Sequence, residues 1–203
     1  SQATGNGSIA VGLDSRATSL GAIAIGSATI PSTGGNLPTG RTRATGISSI
    51  AIGNGAQATE ENSIVLGANA LADQIETTAL GANARATASS STAVGNNAQA
   101  LGVVDTAVGS RAIASGSQST AVGTQAAATG NTSTALGVGT DAAGERSVAT
   151  GAFATTSGDF SSAYGFNSRA SGRESIAIGS QSRASADQAL AIGANAQAMM
   201  QNS

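Results

Sequence analysis

Larger apolar residues come in short bursts along this chain, two at a time with one small residue between them, and each burst ends in glycine. Ile9 and Val11 precede Gly12, Ile23 and Ile25 precede Gly26, Ile50 and Ile52 precede Gly53, and Leu190 and Ile192 precede Gly193. Alternation of this kind is the period of a strand rather than of a helix. The marker glycines are Gly12, Gly26, Gly53, Gly67, Gly81, Gly95, Gly109, Gly123, Gly137, Gly151, Gly165, Gly179 and Gly193; of their twelve intervals, eleven are 14 residues and one is 27. A fixed period means a stack of equivalent units, each touching mainly its neighbours, in place of one globular core.

Beyond each marker a second alternation begins, with Ala, Ser or Thr at the third residue and nearly always Ala at the fifth, as in Ala70 and Ala72 or Ala112 and Ala114. A second glycine often follows seven residues after the first, at Gly102, Gly116, Gly130, Gly144, Gly158 and Gly172. Two short strands joined by two tight turns therefore make one coil of a flattened, parallel β-solenoid of about fourteen coils, with glycine expected to supply turn conformations that a side chain would penalise. Alanine favours helix by propensity, but glycine every seven or fourteen residues and the Ser/Thr runs between defeat that alternative.

The interior of so short a coil is thin, and only small residues fit between its two sheets. Alanines two before a marker (Ala10, Ala24, Ala51, Ala79, Ala93, Ala107, Ala121) join the Ala columns of the second strand as interior fill. Their Ile, Val and Leu neighbours then point outward, leaving a long apolar stripe on one face. Eighteen such side chains occupy the two columns, and burying each contributes on the order of 1.5–3 kcal/mol. A stripe of that extent marks an interface, so association is expected to be obligate. The opposite face carries Asn69, Arg85, Asn97, Gln99, Arg111, Arg169 and Arg183, as solvent requires. The alternative, aliphatic pairs inside a monomeric roll with the alanines outside, would leave an alanine-rich surface.

The long interval contains both prolines of the chain, Pro31 and Pro38, together with Gly34, Gly35, Asn36 and Gly40. These residues favour irregular backbone. Because Thr42, Ala44 and Gly46 already resume the repeat, the surplus falls between about Ser27 and Arg41, and Pro31 to Gly40 is expected to be a loop extruded from the second strand of its coil. The rest is one domain, 1–203. Within it, a threonine column (Thr78, Thr92, Thr106, Thr120, Thr134) interrupts the aliphatic residues three before the marker.

Composition closes off several classes. The 203 residues include no Cys, His, Trp or Lys, 28 Gly and a net charge of −2. Without His or Cys there is no residue for the usual nucleophilic or soft-metal chemistry, and the eleven carboxylates are scattered, so neither an enzyme nor a cofactor or metal site is expected. Nine arginines, outnumbered by acids and without interleaved aromatics, give no nucleic-acid stripe. No stretch approaches the roughly 20 apolar residues that span a bilayer. The chain reads as a mature or excised fragment, without a membrane-inserting segment or coiled-coil stalk of its own. Low aromatic content is a mark of disorder, but the strict apolar period and small net charge oppose it.

The repeated Ser8-Ile9-Ala10-Val11-Gly12, Ser119-Thr120-Ala121-Val122-Gly123 and Ser175-Ile176-Ala177-Ile178-Gly179, with Ala five residues after the glycine, resemble the head repeat of YadA-like trimeric autotransporter adhesins over nearly the whole chain outside the insertion. The resemblance implies a left-handed parallel β-roll and a parallel homotrimer. It also implies display on the surface of a Gram-negative bacterium beyond the outer membrane, and attachment to host matrix proteins of the collagen, fibronectin or laminin class, with autoagglutination as a further property. On that reading the trimer interface comprises Ile50, Ile52, Ile64, Leu66, Val94, Val108, Val122, Ile176 and Ile178. Candidate ligand contacts are Asn36, Arg41 and Arg43 at the insertion, and Phe153 among the four aromatics gathered between Phe153 and Phe166. Thr150 and Tyr164 depart from the aliphatic pattern and bear on the ligand rather than the fold. A structural spacer, or an ice-binding ladder built on the threonine column, is the alternative; the Val and Leu that alternate with those threonines weigh against the latter.

Overall fold

The structure, a computed structural model, describes residues 1–27 and 40–200. It is all-β, a parallel β-solenoid, with no helix among the described residues. Every coil contributes one three-residue strand and one two-residue strand. The chain falls into two compact units, Ser1–Ala100 and Leu101–Ser203. In the first unit, seven two-residue strands from Gln2–Ala3 to Gln99–Ala100 form one sheet and six three-residue strands from Ile9–Val11 to Thr92–Val94 form the other. The second unit has seven of each, Ile113–Ala114 to Gln197–Ala198 and Thr106–Val108 to Leu190–Ile192. Thirteen three-residue strands thus define thirteen turns among the described residues, where the repeat suggested about fourteen.

Register follows the sequence period. Thr106, Ala107 and Val108 lie opposite Thr120, Ala121 and Val122, and Ala114 lies opposite Ala128. Each residue therefore stacks on its equivalent one coil away, which is why a column of like residues in the sequence becomes a column in space. Backbone hydrogen bonds run between coils, for example from the Thr120 N–H to the Ser133 carbonyl (2.9 Å) and from the Gly123 N–H to the Val108 carbonyl (2.8 Å).

The interior is alanine. Ala24, Ala51 and Ala79 from the three-residue strands and Ala58, Ala72 and Ala86 from the two-residue strands are fully buried in the first unit; Ala107, Ala121, Ala114 and Ala128 repeat this in the second. Val65 is the one larger aliphatic in these columns and is also fully buried. The alternative of an aliphatic interior and an alanine surface is excluded by this arrangement. Ser or Thr at the bend before most of the three-residue strands closes the layer: the Ser63 hydroxyl donates to the Glu60 carbonyl (2.6 Å) and that of Ser161 to the Gly158 carbonyl (2.6 Å).

Glycines of both classes, such as Gly123 and Gly116, lie where a Cβ would meet the next coil, and they differ in backbone conformation. Gly123 has φ 139°, a region that L side chains rarely enter, so conformation demands glycine there. Gly116 and Gly130 have no such φ; a Cβ at either would run into the backbone carbonyl of the next coil. Close approach, and not turn conformation, therefore accounts for the second glycine. The left-handed backbone falls instead two and nine residues beyond the markers, mostly at non-glycine residues such as Asn69, Asn83, Asn97, Gln118 and Thr132. Asparagine tolerates it best, and the Asn97 N–H still donates to the Ala82 carbonyl (2.9 Å), so the ladder offsets the strain.

The 27-residue interval is bridged without loss of register, since Ile23–Ile25 pairs with Ile50–Ile52 and Arg16–Ala17 with Arg43–Ala44. The extra sequence falls between the strands Ile23–Ile25 and Arg43–Ala44. The two-residue strand Arg43–Ala44 that follows it is intact. Asn36 and most of the expected loop from Pro31 to Gly40 lie outside the described residues.

Candidate binding surfaces

With alanines closing the interior, strand alternation turns the neighbouring residues outward. In the first unit Ile50 and Ile52 are half-buried, Ile64 and Leu66 are exposed, and Val94 is half-buried. In the second unit Val108 is half-buried and Val122, Ile176 and Ile178 are exposed. All nine residues expected at a trimer interface stand on the outward side of three-residue strands, in columns that continue rung by rung. Leu66 keeps 51% of its surface accessible and Ile192 62%. The threonines of the interrupting column occupy the same face, half-buried, with Thr106, Thr120 and Thr134 in one ladder.

The outward column of the two-residue strands is different in kind. It reads Arg16, Arg43, Gln57, Leu71, Arg85 and Gln99 in the first unit and Ile113, Ala127, Asp141, Thr155, Arg169, Arg183 and Gln197 in the second. Arg43 lies in this column opposite Arg16 and Gln57. Arg41 is held by Asp14, Nε to Oδ2 at 2.6 Å, with both side chains partly exposed. Arg41, one of the candidate ligand contacts, is thus also engaged in an ion pair within the chain.

Phe153 occupies the turn position filled elsewhere by Asn or Gln, at φ 58° and 52% exposed. Its ring lies over Gly139, where a Cβ would come within 2.8 Å of the ring carbons, and meets Phe166 edge to face at 6.1 Å. Tyr164 is not on this turn; it belongs to the outward column of the three-residue strands. Phe160 lies on the other turn, at φ 58°, between the guanidinium groups of Arg146 (5.5 Å) and Arg173 (5.9 Å). The run of aromatics in sequence therefore divides among three surfaces.

Asp105 carries no motif that marks it in the sequence. It occupies a buried Ser column, between Ser91 and Ser119 in sequence period, and is itself fully buried. Its carboxylate accepts hydrogen bonds from the N–H groups of Gly102 (2.7 Å) and Ser119 (2.7 Å) and from the Ser119 hydroxyl (3.0 Å). Burial pushes its pKa up, against the pull of these donors. The available signal is the column itself, where one carboxylate replaces hydroxyls.

Fold and surfaces together define a repeat protein of stacked parallel coils that leaves a continuous apolar face uncovered within each unit. Its family follows from the repeats themselves: the model described as the YadA head domain repeat (2 copies) matches residues 3–29, 44–70, 72–98, 100–126, 114–140, 128–154, 142–168 and 170–196, so the chain belongs to the YadA head repeat family. Among solved structures it is similar to the collagen-binding domain of the Yersinia adhesin YadA, with 27% identity and a TM-score of 0.53, over 78% of this chain and 80% of that one. Comparison with curated protein sequences gave no match.

Proposed function

We propose that this chain is the head segment of a bacterial surface adhesin, assembled as a homotrimer through the outward face of its three-residue strands. One observation carries the reading: the interior is already filled by alanine, so the exposed Ile, Val and Leu columns have no role in closing the coil. A second and third copy supply the cover that such a face requires. Family membership and the similarity to a collagen-binding domain support adhesion as the purpose and collagen as the first ligand to test. Fibronectin, laminin and self-association between cells follow as the wider ligand class, with display on a Gram-negative surface.

Contacts on this reading are many and weak, repeated by rung and by protomer, so that avidity supplies the affinity. Asn36, Arg41, Arg43 and Phe153 are the side chains proposed to individualise the surface. The decisive measurement is the mass of the unmodified chain in solution by light scattering, paired with binding to immobilised collagen. A trimer that binds is the expected result; a folded, monodisperse monomer overturns the assembly.

A further inference from the structure

Five of the nine arginines stand in the outward column of the two-residue strands. In the second unit two of them, Arg169 and Arg183, are register partners on adjacent strands, about 4.8 Å apart at the backbone. Both are exposed. The ion pairs among the described residues join Arg41 to Asp14, Arg146 to Glu145 and Arg173 to Glu174, and include neither of them. Asp141, the carboxylate of the same column, is separated from Arg169 by Thr155. Like charges directly opposite one another destabilise a sheet, so folding gives no reason for this pair.

The neighbours narrow the ligand. Two residues beyond each arginine stand exposed hydroxyls, Ser171 and Ser185, so the patch presents guanidinium and hydroxyl on successive rungs. The carboxylates of Glu174 and Asp187 lie past these serines, on the turn, where Asp187 accepts the Arg173 N–H (2.9 Å). We propose that Arg169 and Arg183, with Ser171 and Ser185, form a docking site for a sulfated polysaccharide chain. The guanidinium fork matches an oxyanion with two parallel hydrogen bonds. Repeated charge on a linear polymer meets repeated charge on the rungs, and the hydroxyls serve the sugar ring. A protein partner would draw most of its affinity from buried aromatic or aliphatic anchors, and the residues flanking this pair in its column, Thr155 and Gln197, are not such anchors. The chain's net charge of −2 is no obstacle, because charges beyond about 8 Å are screened at physiological salt.

This inference is independent of trimer formation and of collagen. The test uses heparin as probe against the full chain, by calorimetry and by salt elution from immobilised heparin. R169Q/R183Q should bind about tenfold more weakly and elute at lower salt. R85Q should change little, since Arg85 is flanked by Leu71 and Gln99. Polyglutamate of similar length should bind more weakly than heparin. Absence of heparin binding at low salt, an unchanged double variant, or equal or tighter binding of polyglutamate overturns the proposal. If the glutamine pair does not fold, R169K/R183K carries the test: weaker heparin binding supports the forked contact, and unchanged binding overturns it. Collagen binding, measured on the same variants, is expected to be unaltered and keeps this outcome separate from the adhesin reading.

Discussion

On the sheet of three-residue strands the outward residues of the first unit run Ile50, Ile52, Ile64 and Leu66, while on the sheet of two-residue strands they run Arg43, Gln57, Leu71 and Arg85. Inward, both sheets present almost nothing but alanine. The interior therefore makes the same demand of both strands, and the outward difference must come from what each face meets. Solvent accounts for the arginine and glutamine column. It does not account for aliphatic pairs on the other face, which the proposed partner copies would cover.

The sharpest way to break this comparison is to place equal charge on both faces. Leu66→Asp with Val94→Asp should abolish the trimer and lower the melting temperature or prevent folding, because each carboxylate is buried without a partner, at a cost on the order of several kcal/mol, three times per assembly. Gln57→Asp with Gln99→Asp on the other sheet should leave mass and melting nearly unchanged. Light scattering and thermal melting on the two double variants provide the check. Equal tolerance of both would remove the distinction between the faces.

That distinction is legible in the sequence, and so is the alanine interior, because a two-residue alternation inside a 14-residue period leaves each position one possible face. Val65 in an alanine column changes nothing. Less is legible where position must become conformation. Asn69, Asn83 and Asn97 read as residues chosen for solvent, yet their spacing is set by left-handed backbone at the turn. Gly116 reads as a turn residue, yet it is glycine because the adjacent coil leaves no room for a Cβ. Of the candidate ligand residues, Arg41 pairs with Asp14 in a way that no sequence pattern announces, because the two are 27 residues apart and belong to different turns.

A smaller effect is expected inside the roll, at Asp105. Burial raises its pKa in the folded chain, so the folded state holds the proton more tightly than the unfolded state does. Stability then falls as pH rises from the ordinary carboxylate range through the raised pKa, and levels off above it. Asp141, shifted in the same direction by burial, adds to the slope. Asp105→Ser restores the hydroxyl of the column and should flatten the dependence to what Asp141 leaves, with stability at neutral pH changed by no more than about 1 kcal/mol. Chemical denaturation at a series of pH values would show it. An unchanged pH profile in the variant would mean that the buried carboxylate does not govern the slope.

The smallest expected change in stability is at Phe153, where strain and contact oppose each other. A phenylalanine at φ 58° carries a backbone cost of roughly 1–2 kcal/mol. Asparagine, which fills the equivalent position at Asn167 and Asn195 with φ of 52° and 59°, bears less of it. Against that cost stand the ring's cover of the Gly139 backbone and its edge-to-face contact with Phe166, the latter worth about 0.5–1.5 kcal/mol. The two nearly cancel, so Phe153→Asn should move the melting temperature by only a few degrees. Folding neither needs nor rejects this ring, which stands half exposed beside a second exposed ring, in keeping with its proposed contact with a partner. The variant should therefore lose matrix-protein binding out of proportion to its stability. Should binding to collagen and attachment to matrix-coated surfaces stay at the parent level, the ring serves only to shield the turn, and adhesion is read by the regular face of the roll.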